Sequence, residues 1–176
     1  QRDEHLDMRM DIRREITAAT ILATASEQEL ADIFFYYGEE RQARRIAASV
    51  VERRKRETIE TTGQFASLVA ESIPKRFHPK KIHVATKVFQ ALRIAVNAEL
   101  ENLAKILEDG VRFLKPGGSF CVISFHSLED RIVKRKFREN SELEVITQRP
   151  IIPTAEEISL NKRSRSARLR VARRKI

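Results

Sequence analysis

The stretch Phe120-Cys121-Val122-Ile123-Ser124-Phe125 constrains this chain more than any other. It is nearly all apolar and rich in β-formers. Pro116-Gly117-Gly118 precedes it, a turn signal that stops a helix. This pattern predicts a parallel strand covered on both faces. The character then flips to Ser124, His126, Ser127, Glu129 and Asp130. In open α/β sheets ligands bind at the carboxyl ends of strands, so chemistry is expected in this loop. An ordinary strand-to-helix connection with Ser127 as N-cap explains the same residues.

Charge narrows the partners. The 176 residues carry a net charge of +9 and a pI of about 10.0. Such a balance favours nucleic acid first and acidic lipid second, with mere solubility as the plain alternative. Aromatics are only 6% and Trp is absent, so stacking on many bases is not advertised. No apolar run is long enough to span a membrane, so no membrane partner is expected. The single cysteine, Cys121, cannot form an internal disulfide, which points to a reducing, cytoplasmic setting. Its apolar neighbours predict an inert core thiol.

Most of the chain before the strand has helical spacing. Thr17 to Ala25 is the first such segment. Ser26 with Glu29 is a capping box, opening a helix with Leu30, Ile33, Phe34 and Tyr37 on one face and Gly38 at its end. A helix over 39–56 follows, with Arg41, Arg44, Arg45, Arg53, Arg54, Lys55 and Arg56 on its outer face and end. Thr61 with Gln64 is a second capping box, and Pro74 stops the helix it opens. Helices over 85–97 and 99–114 lead to the strand, and one over 128–139 leaves the loop. Strands are expected over 143–147 and 167–172, with a short helix after Thr154. In the last strand Ala167, Leu169 and Val171 face one way, Arg168 and Arg170 the other. From Lys162 to Lys175 there are eight Lys or Arg and no acid.

Five segments carry a family resemblance. They are Asp7-Met8-Arg9-Met10-Asp11, Tyr37-Gly38-Glu39-Glu40-Arg41, Phe89 to Asn97, Ile123 to Arg131, and Arg163 to Arg170. In this order they closely resemble the bacterial 16S ribosomal RNA cytosine-N4 methyltransferases of the MraW, or RsmH, type. The resemblance runs from Leu6 onward. It departs at Glu4-His5, where the family has Gly-Pro, at Val84 within His83 to Lys87, and at Lys162 after Asn161.

The resemblance implies an α/β fold: part of a class I, Rossmann-like methyltransferase sheet with an inserted all-helical subdomain. Residues 1–11 would be a remnant of the core loop, 12–84 the helical substrate-recognition insertion, and 85–176 the carboxyl-terminal part. Phe120 to Phe125 would be strand five and the last two strands an antiparallel closing pair. The cofactor would be S-adenosylmethionine, the partner 16S ribosomal RNA in the small subunit. The family's Gly-rich cofactor loop lies upstream of Asp7, and no such loop occurs here, so no cofactor-binding residue is assigned and the chain alone is expected not to bind the cofactor. An edge of the strand near Val122 and Ile123 would then lack its neighbour. That edge is expected to pair with a second copy, giving a homodimer, or to need the missing half.

The acceptor chemistry selects candidates. The N4 lone pair of cytosine is delocalised into its ring. An enzyme must hold that amine in line with the methyl and accept hydrogen bonds from it. Asp7, Asp11, Ser124 and His126 are the catalytic candidates, with His126 positioning the base or taking a proton. Asp7 pairing only with Arg9, and Asp130 with Arg131, are the structural alternatives. Arg9, Arg93, Arg131, Arg163, Arg165, Arg168 and Arg170 are the candidate RNA-binding residues. A metal at His126, Glu129 and Asp130 is disfavoured, because no second His stands at helical spacing. An RNA-binding module without catalysis is the competing function, and a structural remnant the third.

Overall fold

The computed structural model describes residues 3–176. The first two positions of the expected 1–11 segment therefore lie outside the described residues. The chain forms two compact units, Gln1–Glu99 and Leu100–Ile176.

The first unit is helical. Its helices are α1 (Ala18–Thr24), α2 (Glu27–Asp32), α3 (Ala43–Arg54), α4 (Thr62–Ser72) and α5 (Thr86–Asn97). Both capping boxes form: Ser26 and Glu29 exchange side-chain and backbone bonds at the start of α2, as do Thr61 and Gln64 at α4. The core holds Phe34, Ile46, Val50, Phe65, Leu68 and Leu92. Phe65 meets Phe34 at 6.2 Å and Phe89 edge-on at 5.2 Å between ring centroids.

Two local features depart from the sequence reading. The helix opened by Ser26 does not stay α-helical but continues as a π-helical turn, Ile33–Tyr37. The next helix begins at Ala43, not Glu39. Gly38 explains both. A Cβ there would sit 2.6 Å from the Phe34 carbonyl oxygen and 2.7 Å from that of Lys87 on α5. The chain passes α5 too closely for any side chain, and Glu39 turns it away at φ 49°. Gly38 itself has φ −99°, so close approach and not a left-handed cap requires glycine.

The second unit holds the rest of α6 (Glu99–Asp109), then β1 (Ser119–Ser124), α7 (Ser127–Glu139), β2 (Leu143–Val145), α8 (Ala155–Leu160) and β3 (Arg168–Arg174). Gly117, at φ 78°, makes the turn into β1. The sheet order is β1-β3-β2, and both pairings are antiparallel. Leu107, Val111, Val133, Phe137, Leu143 and Ala172 form its core, with Phe120 and Val122 against it.

The expectation of a parallel strand covered on both faces is therefore corrected. β1 alternates: Ser124 is buried and Phe120 and Val122 half-buried, while Cys121 and Ile123 are exposed. Cys121 is consequently an exposed thiol and not a core one. β3 alternates as expected, but its arginine row faces inward. Arg170 and Ala172 are buried, whereas Leu169 and Val171 are only half-buried. The reason is Asp130 on α7, which is 7% exposed and binds Arg170 through two bonds of 2.6 and 3.1 Å. Asp130 pairs with Arg170 and Arg168, not with Arg131 as the sequence alternative had it.

Among the described residues no strand pairs with the second edge of β1. Its backbone N–H and C=O groups and the exposed Ile123 form an edge suited to pairing. Sedimentation velocity at high micromolar concentration should show self-association, and Ile123→Pro, which removes an N–H on the open edge and none that bonds β3, should abolish it. A monomer throughout would mean that this edge stays solvated.

Candidate functional site

β1 ends at Ser124, whose hydroxyl donates to the Arg168 carbonyl at 3.4 Å. Phe125 then turns outward, 54% exposed. His126, not Ser127, is the N-cap of α7. Its Nδ1 accepts the Glu129 N–H at 3.3 Å, and Glu129 Oε2 accepts from the N–H groups of Phe125 (2.8 Å) and His126 (3.2 Å). The His126 Nε2 is buried and lies 3.3 Å from Glu129 Oε1. His126 thus fixes the loop that presents Phe125. A cavity of about 370 Å³ opens here, lined by Phe125, His126, Ile152, Pro153, Arg165 and Arg168 among others. Apolar and cationic groups dominate it, a combination that suits a base and its phosphates.

Asp7, Arg9 and Asp11 lie in the first unit. Asp7 is bound by Arg9 through Nε (2.7 Å) and Nη2 (2.8 Å), and by the Arg9 N–H at 3.1 Å. Arg9 Nη1 also donates to the carbonyls of Ile12 and Arg14. With its guanidinium so engaged, Arg9 builds the loop; the structure gives it that role in place of phosphate binding. The Arg9 hydrogen bonds pull the Asp7 carboxyl down to about 2. A depressed acid stabilises above its unfolded pKa and loses that contribution as pH falls through the folded value. Loop protection measured by hydrogen exchange should therefore hold at pH 5 and fade between about pH 4 and pH 2. Asp11 is paired with Arg13 on the surface at 2.8 Å.

Asn97, at the end of α5, closes this loop; the sequence reading placed it in the Phe89 to Asn97 motif but gave it no role. Its Oδ1 accepts the Met10 N–H at 2.8 Å, and its Nδ2 donates to the carbonyls of Met8 (2.9 Å) and Arg93 (2.8 Å). Met8 between them is held at φ 64°, a left-handed conformation that is strained for Met. An amide at the last helical position, beside the apolar Val96, was the signal available.

The candidate arginines divide by what holds them. Arg163 and Arg165 are exposed, with no ion pair among the described residues. Arg131 is exposed on α7. Arg168 is half-exposed and shares Asp130 at 3.2 Å. Arg93 is held by Glu99 through bonds of 2.8 and 2.9 Å. Arg170 is 6% exposed and bound to Asp130, so it belongs to the core and cannot meet a phosphate without unpacking. Missed by the sequence reading were Phe125, Ile152 and Pro153, whose roles depend on the exposure of an apolar residue, which no local pattern announces.

A helical unit, a small antiparallel sheet and a basic, aromatic-edged pocket at a strand's end define a mixed α/β protein. A family described as the MraW methylase family matches residues 1–175. A protein of Desulfotalea psychrophila named ribosomal RNA small subunit methyltransferase H is 69% identical over 172 residues, covering 98% of this chain and 58% of that protein. Proteins of the same name from a Cyanothece species and from Acaryochloris marina are 57% and 53% identical, each covering 98% of this chain and 57% of the relative. The chain belongs to the MraW methylase family, as its five motifs indicated. It spans a little under three fifths of the length of these curated relatives.

Proposed function

We propose that this chain forms the acceptor-binding part of an S-adenosylmethionine-dependent enzyme that methylates N4 of a cytidine in small-subunit ribosomal RNA in the cytoplasm. The relatives' shared name supports an RNA substrate and a methyl transfer. The observation that carries the reading is the pocket at the carboxyl end of β1, where Phe125 and the capped His126 face Arg165. The fold is then the carboxyl-terminal part of a Rossmann-like sheet, with 12–84 as a helical insertion. The antiparallel β3 between β1 and β2 supports their reading as strand five and its closing pair.

The groups described do not fit the cofactor. A sulfonium and a ribose diol call for carboxylates, but the pocket is cationic and apolar, and the Asp7 carboxylate is filled by Arg9. The acceptor is what these residues suit. Phe125 offers a face for the base, Arg165 and Arg163 meet phosphates, and His126 with Glu129 holds the loop rigid. Asp7, Asp11 and Ser124 are also proposed as catalytic residues.

Two substitutions separate binding from structure. Arg163→Ala with Arg165→Ala should weaken RNA binding for all sequences and reduce the salt slope by about 1.4 for single strands. An unchanged slope would place these arginines away from the RNA. In a protein of the relatives' full length, His126→Ala and Asp11→Ala should lower methyl transfer with the fold intact. Wild-type turnover in both would remove the active-site assignment. RNA binding with no methyl transfer by the full-length protein would favour a non-catalytic RNA-binding module.

A further inference from the structure

The structure sorts the arginine-rich face of α3 into engaged and unengaged side chains. Arg53 is held by Glu57 and Glu71 at 2.8 and 2.7 Å. Lys55 and Arg56 both pair with Glu52. Arg54 donates to the carbonyls of Leu22 and Ala25 at the end of α1. Arg41, Arg44 and Arg45 differ. All three are exposed, and among the described residues none has an ion pair.

These three line a cavity of about 450 Å³ together with Phe35 and Tyr36. The two rings are 53% and 62% exposed and stand edge-to-face at 5.2 Å. They owe this position to the π-helical turn. Phe34 is fully buried, and the turn points the next two side chains outward before Gly38 presses against α5. π-Helical turns cost stability and concentrate at functional sites. Adjacent exposed aromatics also forgo burial that the core of this unit does not supply. Asp32 lines the same cavity and accepts from Gln28 at 2.9 Å, and among the described residues it has no ion pair with these arginines.

We infer that the π-helical turn and the start of α3 form a docking site for single-stranded RNA, with bases stacked on Phe35 and Tyr36 and phosphates on Arg41, Arg44 and Arg45. Flat π faces beside unpaired guanidinium groups match the chemistry of single strands, whose bases are free to stack. A duplex hides its base faces, and an acidic protein segment would use the charges but not the rings. This rests on the RNA-substrate reading above and adds a second contact region, in the helical unit.

The test is fluorescence anisotropy of the 176-residue chain with a labelled single-stranded RNA of about 12 nucleotides. Phe35→Leu with Tyr36→Leu keeps the apolar bulk and removes the π faces. It should weaken binding about tenfold, with little change on duplex RNA of equal charge. Arg41→Ala with Arg44→Ala should lower the salt slope by about 1.4, and Arg41→Lys with Arg44→Lys should restore it. Unchanged affinity in the double-Leu variant would overturn the proposal. So would equal losses on duplex RNA or on polyglutamate, which would make the face a generic anion patch. The assay uses no cofactor, so failed methyl transfer by the full-length protein leaves this result standing, and a failure here leaves methyl transfer untouched.

Discussion

Replacing Asp130 by Ala is expected to destabilise the second unit by about 3–5 kcal/mol, the cost of leaving a buried charge without its partner. Arg170 is 6% exposed and donates to both Asp130 oxygens, and Arg168 adds a third bond. Without the carboxylate, Arg170 must either stay buried and uncompensated or pull β3 out of register with β1. That loss is a large part of the stability of a domain of this size. Urea unfolding followed by the amide NMR signals of β1 and β3 should show the midpoint fall, while the helical signal of the first unit persists to higher denaturant. Replacing the pair together, Asp130→Leu with Arg170→Met, should recover most of the loss, since a packed apolar pair often matches a buried ion pair. The pH dependence follows the same contact. Burial pushes the Asp130 carboxyl up, but the bonds from Arg170 and Arg168 outweigh it and hold the group below the ordinary aspartate range. Its contribution is therefore complete at neutral pH and is lost as pH falls below about 4. Wild-type stability in Asp130→Ala would mean that Arg170 finds water or another acceptor.

Asn97→Ala should release the Asp7–Asp11 loop. It removes the partners of the Met10 N–H and the Met8 C=O and leaves Met8 strained at φ 64° with nothing to hold it there. The local cost is about 2 kcal/mol, from the unsatisfied backbone groups, and relief of the Met8 strain favours the open loop further. The Met10 amide should lose about 30-fold in hydrogen-exchange protection, which is that same energy. Asn97→Asp keeps the acceptor for Met10 but not the donor to Met8, so it should recover part of the protection. An unprotected Met10 amide in the wild type would show that the clamp does not form in solution.

What the sequence disclosed was local. The capping boxes at Ser26 and Thr61 were legible because both partners lie within three residues of each other. The end of β1 was legible because the polarity changes within two residues. The inward arginine of β3 was not, since its partner Asp130 stands 40 residues earlier on another element. The one-sided exposure of β1 was hidden because Cys121 and Ile123 are as apolar as the residues opposite them. His126 was missed as the cap because histidine is an uncommon choice there, and Ser127 beside it is a common one. The π-helical turn arises from the close pass of Gly38 over α5, a contact between residues far apart in sequence. It nevertheless determines where Phe35 and Tyr36 point.

The central claim is methyl transfer to cytidine N4 of small-subunit ribosomal RNA, with the acceptor held at the end of β1. Nucleoside mass spectrometry of small-subunit RNA tests it most directly, comparing cells with the gene, cells without it, and cells carrying His126→Ala in the gene. N4-methylated cytidine should disappear with the gene, return with the wild type, and return at least tenfold less with His126→Ala. An unchanged level of N4-methylated cytidine in cells without the gene would contradict the account.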